Sequence, residues 1–472
     1  MQTRQLNQLP IIESRKWLIL LSIFSILSGL FFSFLLYKIS YPKGIFLMLG
    51  FLAVGLIFRH PEFGLVLSFS SGIFKEWLSL NVPIFAQFDF TIAIFGLTLI
   101  SIFYFLLKKG TLFDISFDQS FWPLILFSGF MLFSTLYTPS FKYGIFKAFS
   151  FLFFNWCMFL FPILMIRDEK YGWRITYLLI ALAVAVSIFA IVSLIQGFLK
   201  QTLLFTYRAS FLGINPISFA GWVGVINILL ISIMPEIKQR KWRTLAIVSI
   251  VILSVAVLVA NSRGPLVSFI FTVFLILLFK WKNVPKHKIF LLLTVLILSI
   301  VIVLNVLPPQ LTSRYTETIQ QEGATKYVTF YTVHTRLSFW LTCLRSATDN
   351  LKNLFVGAGS GAFSMIFYGL DVRHYPHNIF MEVLCEFGLV GIILLVWHFM
   401  TIFKRSIRTF AGRLSHEQKT LLFAYLMATV FYFVAAQFSG DLNDNRRLWF
   451  FLGNLVAIIS LPNFKKRAFI RA

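Results

Sequence analysis

Long apolar runs, separated by short polar or basic stretches, follow one another from end to end of the chain. The clear runs are residues 17–37, 84–107, 121–137, 148–166, 175–199, 217–234, 244–261, 264–279, 289–307, 378–403 and 420–438, and shorter ones lie at 44–58, 63–74 and 448–461. A helix crosses a bilayer with about 20 apolar residues, or somewhat fewer when interfacial side chains anchor it. Each run therefore predicts a membrane span. The pattern predicts an all-α polytopic helix bundle, a single membrane domain over residues 1–472 with 14 spans, or 12 if one weak pair is re-entrant. The only sizeable piece outside these runs is 308–376, which is too small for an independent enzyme domain.

Composition excludes the alternatives. Hydrophobic residues make up 58% of the 472 and charged residues 13%, half the share of a soluble domain. That balance rules out both an ordinary soluble globule and a disordered chain. The net charge of +24 first suggests nucleic acid, but the cations form short clusters between apolar runs rather than one patch. No nucleic-acid partner is expected. With the N-terminus inside, 26 of the 42 Lys and Arg fall in inner segments, so the positive-inside rule puts both termini in the cytoplasm. The first run, 17–37, is longer than a signal-peptide core and lacks a small-residue cleavage pattern. Cys157, Cys343 and Cys385 are too few for a disulfide framework and suit small apolar packing positions.

The exceptions to the charge bias carry chemistry. Arg208, Arg263, Arg336, Arg373, Arg446 and Arg447 fall on the predicted outer face, where topology does not require them. They are either surface or headgroup anchors or the holders of an anionic ligand. Arg263 stands in the short turn Asn261-Ser262-Arg263-Gly264-Pro265, and Pro265 suits the first turn of a new helix. Free N–H groups there, with an arginine beside them, fit a diphosphate. Residues 333–349 space His334, Arg336, Leu337, Trp340, Leu341 and Leu344 as an amphipathic helix.

Next comes the glycine-rich run Gly357-Ala358-Gly359-Ser360-Gly361. It lacks the Gly-Lys-Ser/Thr ending of a phosphate-binding P-loop. It is either a flexible turn or a place where backbone N–H groups approach a phosphate or sugar. His377 stands just before the span that begins near Asn378. A helix N-terminus disfavours imidazolium, so His377 is either a proton acceptor or a structural histidine bonded to nearby backbone. Glu382 and Glu386 share one face of that span and are placed to bond outer arginines or to orient His377. His374, His377 and Asp371 lie close in sequence, but no metal-ligand motif supports them, and neither a metal nor a cofactor is expected. The polar stretch 440–447 is either a cap on the site or a solvated loop.

Taken in order, five segments resemble the O-antigen ligase and O-antigen polymerase superfamily. They are Ser262-Arg263-Gly264, His334-Thr335-Arg336-Leu337-Ser338-Phe339-Trp340, Val356 to Phe363, His377-Asn378-Ile379-Phe380-Met381-Glu382, and Glu386-Phe387-Gly388-Leu389-Val390-Gly391. The resemblance covers about residues 200–460, and Arg208 with Gly213 and Pro216 extends it. It implies a bacterial inner-membrane glycosyltransferase of the GT-C type, metal-independent and inverting, with its site facing outward. The implied partners are an undecaprenyl-diphosphate-linked glycan donor, a glycan or lipid A-core acceptor, and membrane lipids. By the same resemblance, Arg263 and Arg336 bind the diphosphate and His377 acts on the acceptor. Arg208, Gly357, Gly359, Gly361, Asn378 and Glu382 are the expected binding residues. A lipid-linked oligosaccharide flippase is the rival expectation, but its cations should line a cavity among the spans rather than gather on outer loops.

Overall fold

The structure is a computed structural model that describes residues 50, 52–82, 85, 87–110, 119–199, 215–280, 286–287, 290, 293–294, 297–298, 331–412 and 414–471. The chain divides into two compact units, Met1–His60 and Pro61–Ala472. In the first, residues 52–59 are helical. The second is a bundle of helices.

The helices of this bundle are α1 (Pro61–Asn81), α2 (Phe90–Lys108), α3 (Phe121–Ser134), α4 (Phe141–Ser150), α5 (Trp156–Met165), α6 (Glu169–Leu199), α7 (Pro216–Ile233) and α8 (Arg240–Val259). They continue with α9 (Arg263–Lys280), α10 (Tyr331–Thr348), α11 (Leu351–Val356), α12 (Ala362–Tyr368), α13 (Ile379–Ala411), α14 (His416–Ala435) and α15 (Arg446–Arg471). A π turn, Phe151–Asn155, joins α4 to α5. No strand occurs among the described residues. Eleven of the fourteen predicted runs fall wholly or mainly on these helices; 17–37, 44–58, 289–307 and the first residues of 84–107 lie wholly or partly outside the described residues. Seven helical stretches among the described residues are long and apolar enough to cross a membrane. The protein is an all-α, multi-pass membrane protein.

The side chains show which medium surrounds the bundle. On α2, Ile92, Leu99, Ile100, Phe103 and Leu107 are exposed, whereas Thr91, Thr98 and Ser101 are buried. A helix in water would show the reverse. Some of the buried hydroxyls and amides pair across helices, as in Ser68 with Thr98 at 2.9 Å and Asn227 with Ser254 at 2.9 Å. Lipid offers those groups no partner, so they turn inward. Close backbone approach tightens the same interior. A Cβ at Gly453 of α15 would stand 2.1 Å from the Phe159 carbonyl of α5, so no other residue fits there without separating the two helices.

The two ends of the bundle differ in kind. At one end lie the basic connections of the described chain, with Lys109 donating to the Tyr171 hydroxyl, Arg174 to Glu62 and Gln418 to Glu169. His416 contacts Glu236 at 2.8 Å there too. The opposite end gathers the starts of α4, α9, α13 and α15 and the chain between α10 and α13.

Candidate active site

The start of α13 fixes the centre of this end. Asn378 has an extended backbone, and its side-chain oxygen accepts from Phe380 N at 2.9 Å and Met381 N at 3.0 Å. That is the N-cap the free N–H groups of a helix start require. Its amide donates to the Gln437 carbonyl, and Ile379 N donates to the Ala436 carbonyl at 3.1 Å. The turn after α14 therefore holds the start of α13. The same turn meets the arginine turn, because Gly264 lies against Phe438. Arg263, exposed, opens α9, as the position of Pro265 predicts.

His377 precedes this cap with φ of +59°, a left-handed conformation uncommon for a residue with a side chain. Such backbone persists only where its surroundings impose it. Here Ile379 N and the Asn378 cap fix one side. On the other, Trp340 Nε1 of α10 donates to the Pro376 carbonyl at 3.0 Å. The His377 ring stacks on Phe339 (centroids 6.3 Å apart, 23° between planes) and meets Tyr375 edge-on at 4.7 Å. Phe339 itself belongs to a buried cluster with Cys343, Phe363 and Cys385 that docks α10 on α13.

Arg336 stands one helical turn before Phe339 and Trp340. It is half-buried and pairs with no carboxylate among the described residues. Burial, then Arg336, then His374, push the His377 pKa down to about 4. The ring is therefore neutral at pH 7. Its Nδ1 is buried without a hydrogen-bond partner, which leaves Nε2 as the nitrogen open to an incoming group.

The glycine run is built into the packing. At Gly388, φ of +58° and ψ of −157° break α13 and release carbonyls from the helix ladder. The Cys385 carbonyl accepts from Ala358 N at 3.0 Å, and the Glu386 carbonyl accepts from Gly359 N at 2.9 Å. A Cβ at Gly357 would stand 2.3 Å from Glu386 backbone, so only glycine allows the two chains to meet. Ser360 N donates to Ser134 Oγ, Thr138 Oγ1 donates to the Ser360 carbonyl at 2.7 Å, and the Gly361 N–H lies beside the Glu386 carboxylate. The sequence left open whether Gly357, Gly359 and Gly361 form a flexible turn or present N–H groups to a ligand. The structure corrects both readings: the run is buried and its N–H groups are taken within the protein.

Below the run lies a group of charges whose central cation, Lys147, sequence reasoning missed. Lys147 Nζ is 2.5 Å from Glu382 Oε1 and 2.6 Å from Glu386 Oε2, and all three side chains are wholly buried. Leu442 N donates to Glu382 Oε2 at 3.0 Å, and Asn443 Nδ2 donates to the Lys147 carbonyl at 3.0 Å. Tyr143 OH donates to the buried Asp441 at 3.2 Å, and Asn155 of the π turn donates to the Leu442 carbonyl at 2.8 Å. The 440–445 turn is therefore a cap bound on its inner side, not a solvated loop. Burial, followed by the neighbouring Asp444, raises the Asp441 pKa. Arg373 pairs with Asp444 and lies 3.6 Å from Asp441. Asp371 accepts from Ser140 Oγ, Lys142 N and Tyr143 N at the start of α4. Glu382 thus sits behind the surface with Lys147, and its backbone N–H donates to the carbonyl of the cap residue Asn378 at 2.9 Å.

The O-antigen ligase family model matches residues 248–396. Residues 248–396 thus form a stretch of the O-antigen ligase type. No curated protein sequence matches the chain. The stretch matched to O-antigen ligases contains Arg263, Arg336, the glycine run, His377, Asn378, Glu382 and Glu386. Lys147, Asp441 and the pair Arg446-Arg447 lie outside it, as does Arg208, which is also outside the described residues. Of the predicted site residues, the fold brings His377, Arg336 and Asn378 together directly. Gly264, next to Arg263, meets the turn after α14 that also holds Asn378. The protein is thus an O-antigen-ligase-like membrane enzyme of glycan assembly, acting in polysaccharide biosynthesis.

Proposed function

We propose that the protein transfers a glycan from undecaprenyl diphosphate to an acceptor hydroxyl at the outer face of the bacterial cytoplasmic membrane. It does so as a metal-independent, inverting GT-C-type enzyme, either an O-antigen ligase acting on lipid A core or a repeat-unit polymerase. The observation that carries this reading is His377, a neutral imidazole beside Arg336 on strained, over-determined backbone. The acceptor O–H proton passes to His377 Nε2 while the acceptor oxygen bonds to the anomeric carbon. The carbon–oxygen bond to the diphosphate breaks, and its electron pair stays with the diphosphate. Arg336 and Arg263, with Arg208, stabilise that developing charge.

The geometry also couples the two substrates. The positive charge of Arg336 helps hold His377 near a pKa of 4. A diphosphate seated on Arg336 offsets that charge and raises His377 toward the working pH, where a general base is most effective. Donor binding then prepares the base. In this reading Asn378, Glu382, Gly357, Gly359 and Gly361 hold the site in place rather than touch the sugar. The basic connections gathered at the opposite end support an outward-facing site with both termini cytoplasmic.

Purified protein in lipid vesicles, given polyprenyl-diphosphate glycan and an acceptor, tests the reaction. Release of polyprenyl diphosphate with a lengthened acceptor is expected. Movement of intact lipid-linked glycan across the bilayer without release would overturn transfer in favour of flipping. A deletion strain separates the two forms: a polymerase mutant stores single repeats, and a ligase mutant stores full-length unattached chains.

A further inference from the structure

Two arginines at the start of α15 take no part in the geometry around His377. Arg446 and Arg447 are partly buried, and their guanidinium tips converge. A Cβ at Gly72 of α1 would lie 3.3 Å from Arg446 Nη2 and 3.6 Å from Arg447 Nη2. Glycine at position 72 leaves the space in which they meet. Arg447 Nη1 donates to the Ser218 carbonyl at 3.1 Å and its guanidinium lies over Phe69 at 5.9 Å; that of Arg446 lies over Phe154 at 5.8 Å. Aromatic faces attract a cation but accept nothing from N–H groups in the guanidinium plane.

The acids nearest Arg446 are already engaged. Asp444 is paired with Arg373, and Asp89 with Lys75 at 2.5 Å. Neither arginine of the pair has a carboxylate at ion-pair distance among the described residues. The Tyr432 hydroxyl is buried, lacks a hydrogen bond of ordinary geometry, and lies beside Arg447. Ser218 is exposed, so the pair is open on that side.

Two like charges brought together and partly removed from water are unfavourable unless an anion joins them. Guanidinium forks match phosphate oxygens, two N–H groups to two oxygens. The pair lies at one end of membrane-crossing helices, where the available phosphates are those that lipids carry. We propose that Arg446 and Arg447 form a second anion site, which holds a lipid-borne phosphate of a phospholipid headgroup or of a polyprenyl diphosphate. The site uses none of His377, Arg336 or Arg263, and it stands whether or not the transfer chemistry does.

Native mass spectrometry of the full chain tests this, with phosphatidylglycerol and polyprenyl diphosphate in separate arms and diacylglycerol as the neutral control. The R446Q/R447Q variant should retain one of the phosphate lipids roughly tenfold less well than the wild type, with diacylglycerol unaffected. Loss in the phosphatidylglycerol arm identifies a headgroup site, and loss in the other arm a donor site. Equal retention by wild type and variant in both arms overturns the proposal. Should the glutamine pair fail to fold, R446K/R447K keeps the charge but not the fork. Its retention should fall several-fold, and unchanged retention again overturns the site.

Discussion

The two ends of the helix bundle use charge in opposite ways. At the basic end, pairs such as His416 with Glu236 are exposed on the His416 side, at 75% of the side chain. They add little rigidity, because water screens them. At the site end, Lys147, Glu382 and Glu386 are wholly buried and Asp441 nearly so. Left-handed backbone also concentrates there, at His377, Gly357, Gly359, Gly361 and Gly388. Topology needs only a surplus of cations on one side, whereas positioning a reactive group needs charges with fixed partners.

Substitutions test this contrast, and the largest effect should come from the base. His377→Asn keeps a side chain tolerant of left-handed backbone but removes the imidazole. Glycan transfer should fall by about 10²–10⁴ with insertion intact. Transfer near the wild-type rate would detach the site end from catalysis. Lys147→Met leaves two buried carboxylates without their cation and should destabilise the protein by about 3–5 kcal/mol, read from thermal unfolding in detergent.

Arg336→Gln has a smaller, more specific consequence. Removing its charge lets the His377 pKa rise from about 4 toward its ordinary value. The base works only when neutral, so the acid limb of transfer, measured at low donor concentration, should move to higher pH. A limb that stays in place would show that Arg336 does not act on His377. The smallest effect belongs to the basic end. His416→Ala should change stability by no more than about 1 kcal/mol. A loss comparable to that of Lys147→Met would erase the distinction between the ends.

Much of the fold was legible because lipid imposes a simple pattern. The predicted helix at 333–349 is α10, Tyr331–Thr348, which carries Arg336, and Arg263 and His377 stood out as polar residues beside apolar runs. Lys147 was not legible for a related reason. The apolar run starts at 148, one residue beyond it, so it read as part of a connection. The helix in fact starts at Phe141, where Asp371 accepts from Lys142 N and Tyr143 N and draws Lys147 inside. That carboxylate comes from 228 residues further along, and no local pattern announces it. The glycine run misled in another way. Its spacing resembled a ligand cradle, but the groups it cradles are the Cys385 and Glu386 carbonyls freed at the break in α13.

The buried lysine also constrains how the protein is made. Lys147 and Glu386 are 239 residues apart in the chain. At a synthesis rate of roughly 5–20 residues per second, α4 waits on the order of tens of seconds before α13 emerges. Through that interval the lysine has neither of its carboxylates. The first half of the chain must therefore be held by the insertion machinery, or keep that ammonium at the water interface, until α13 arrives. Assembly of this end is a late event, completed only when the helix that follows His377 enters the membrane.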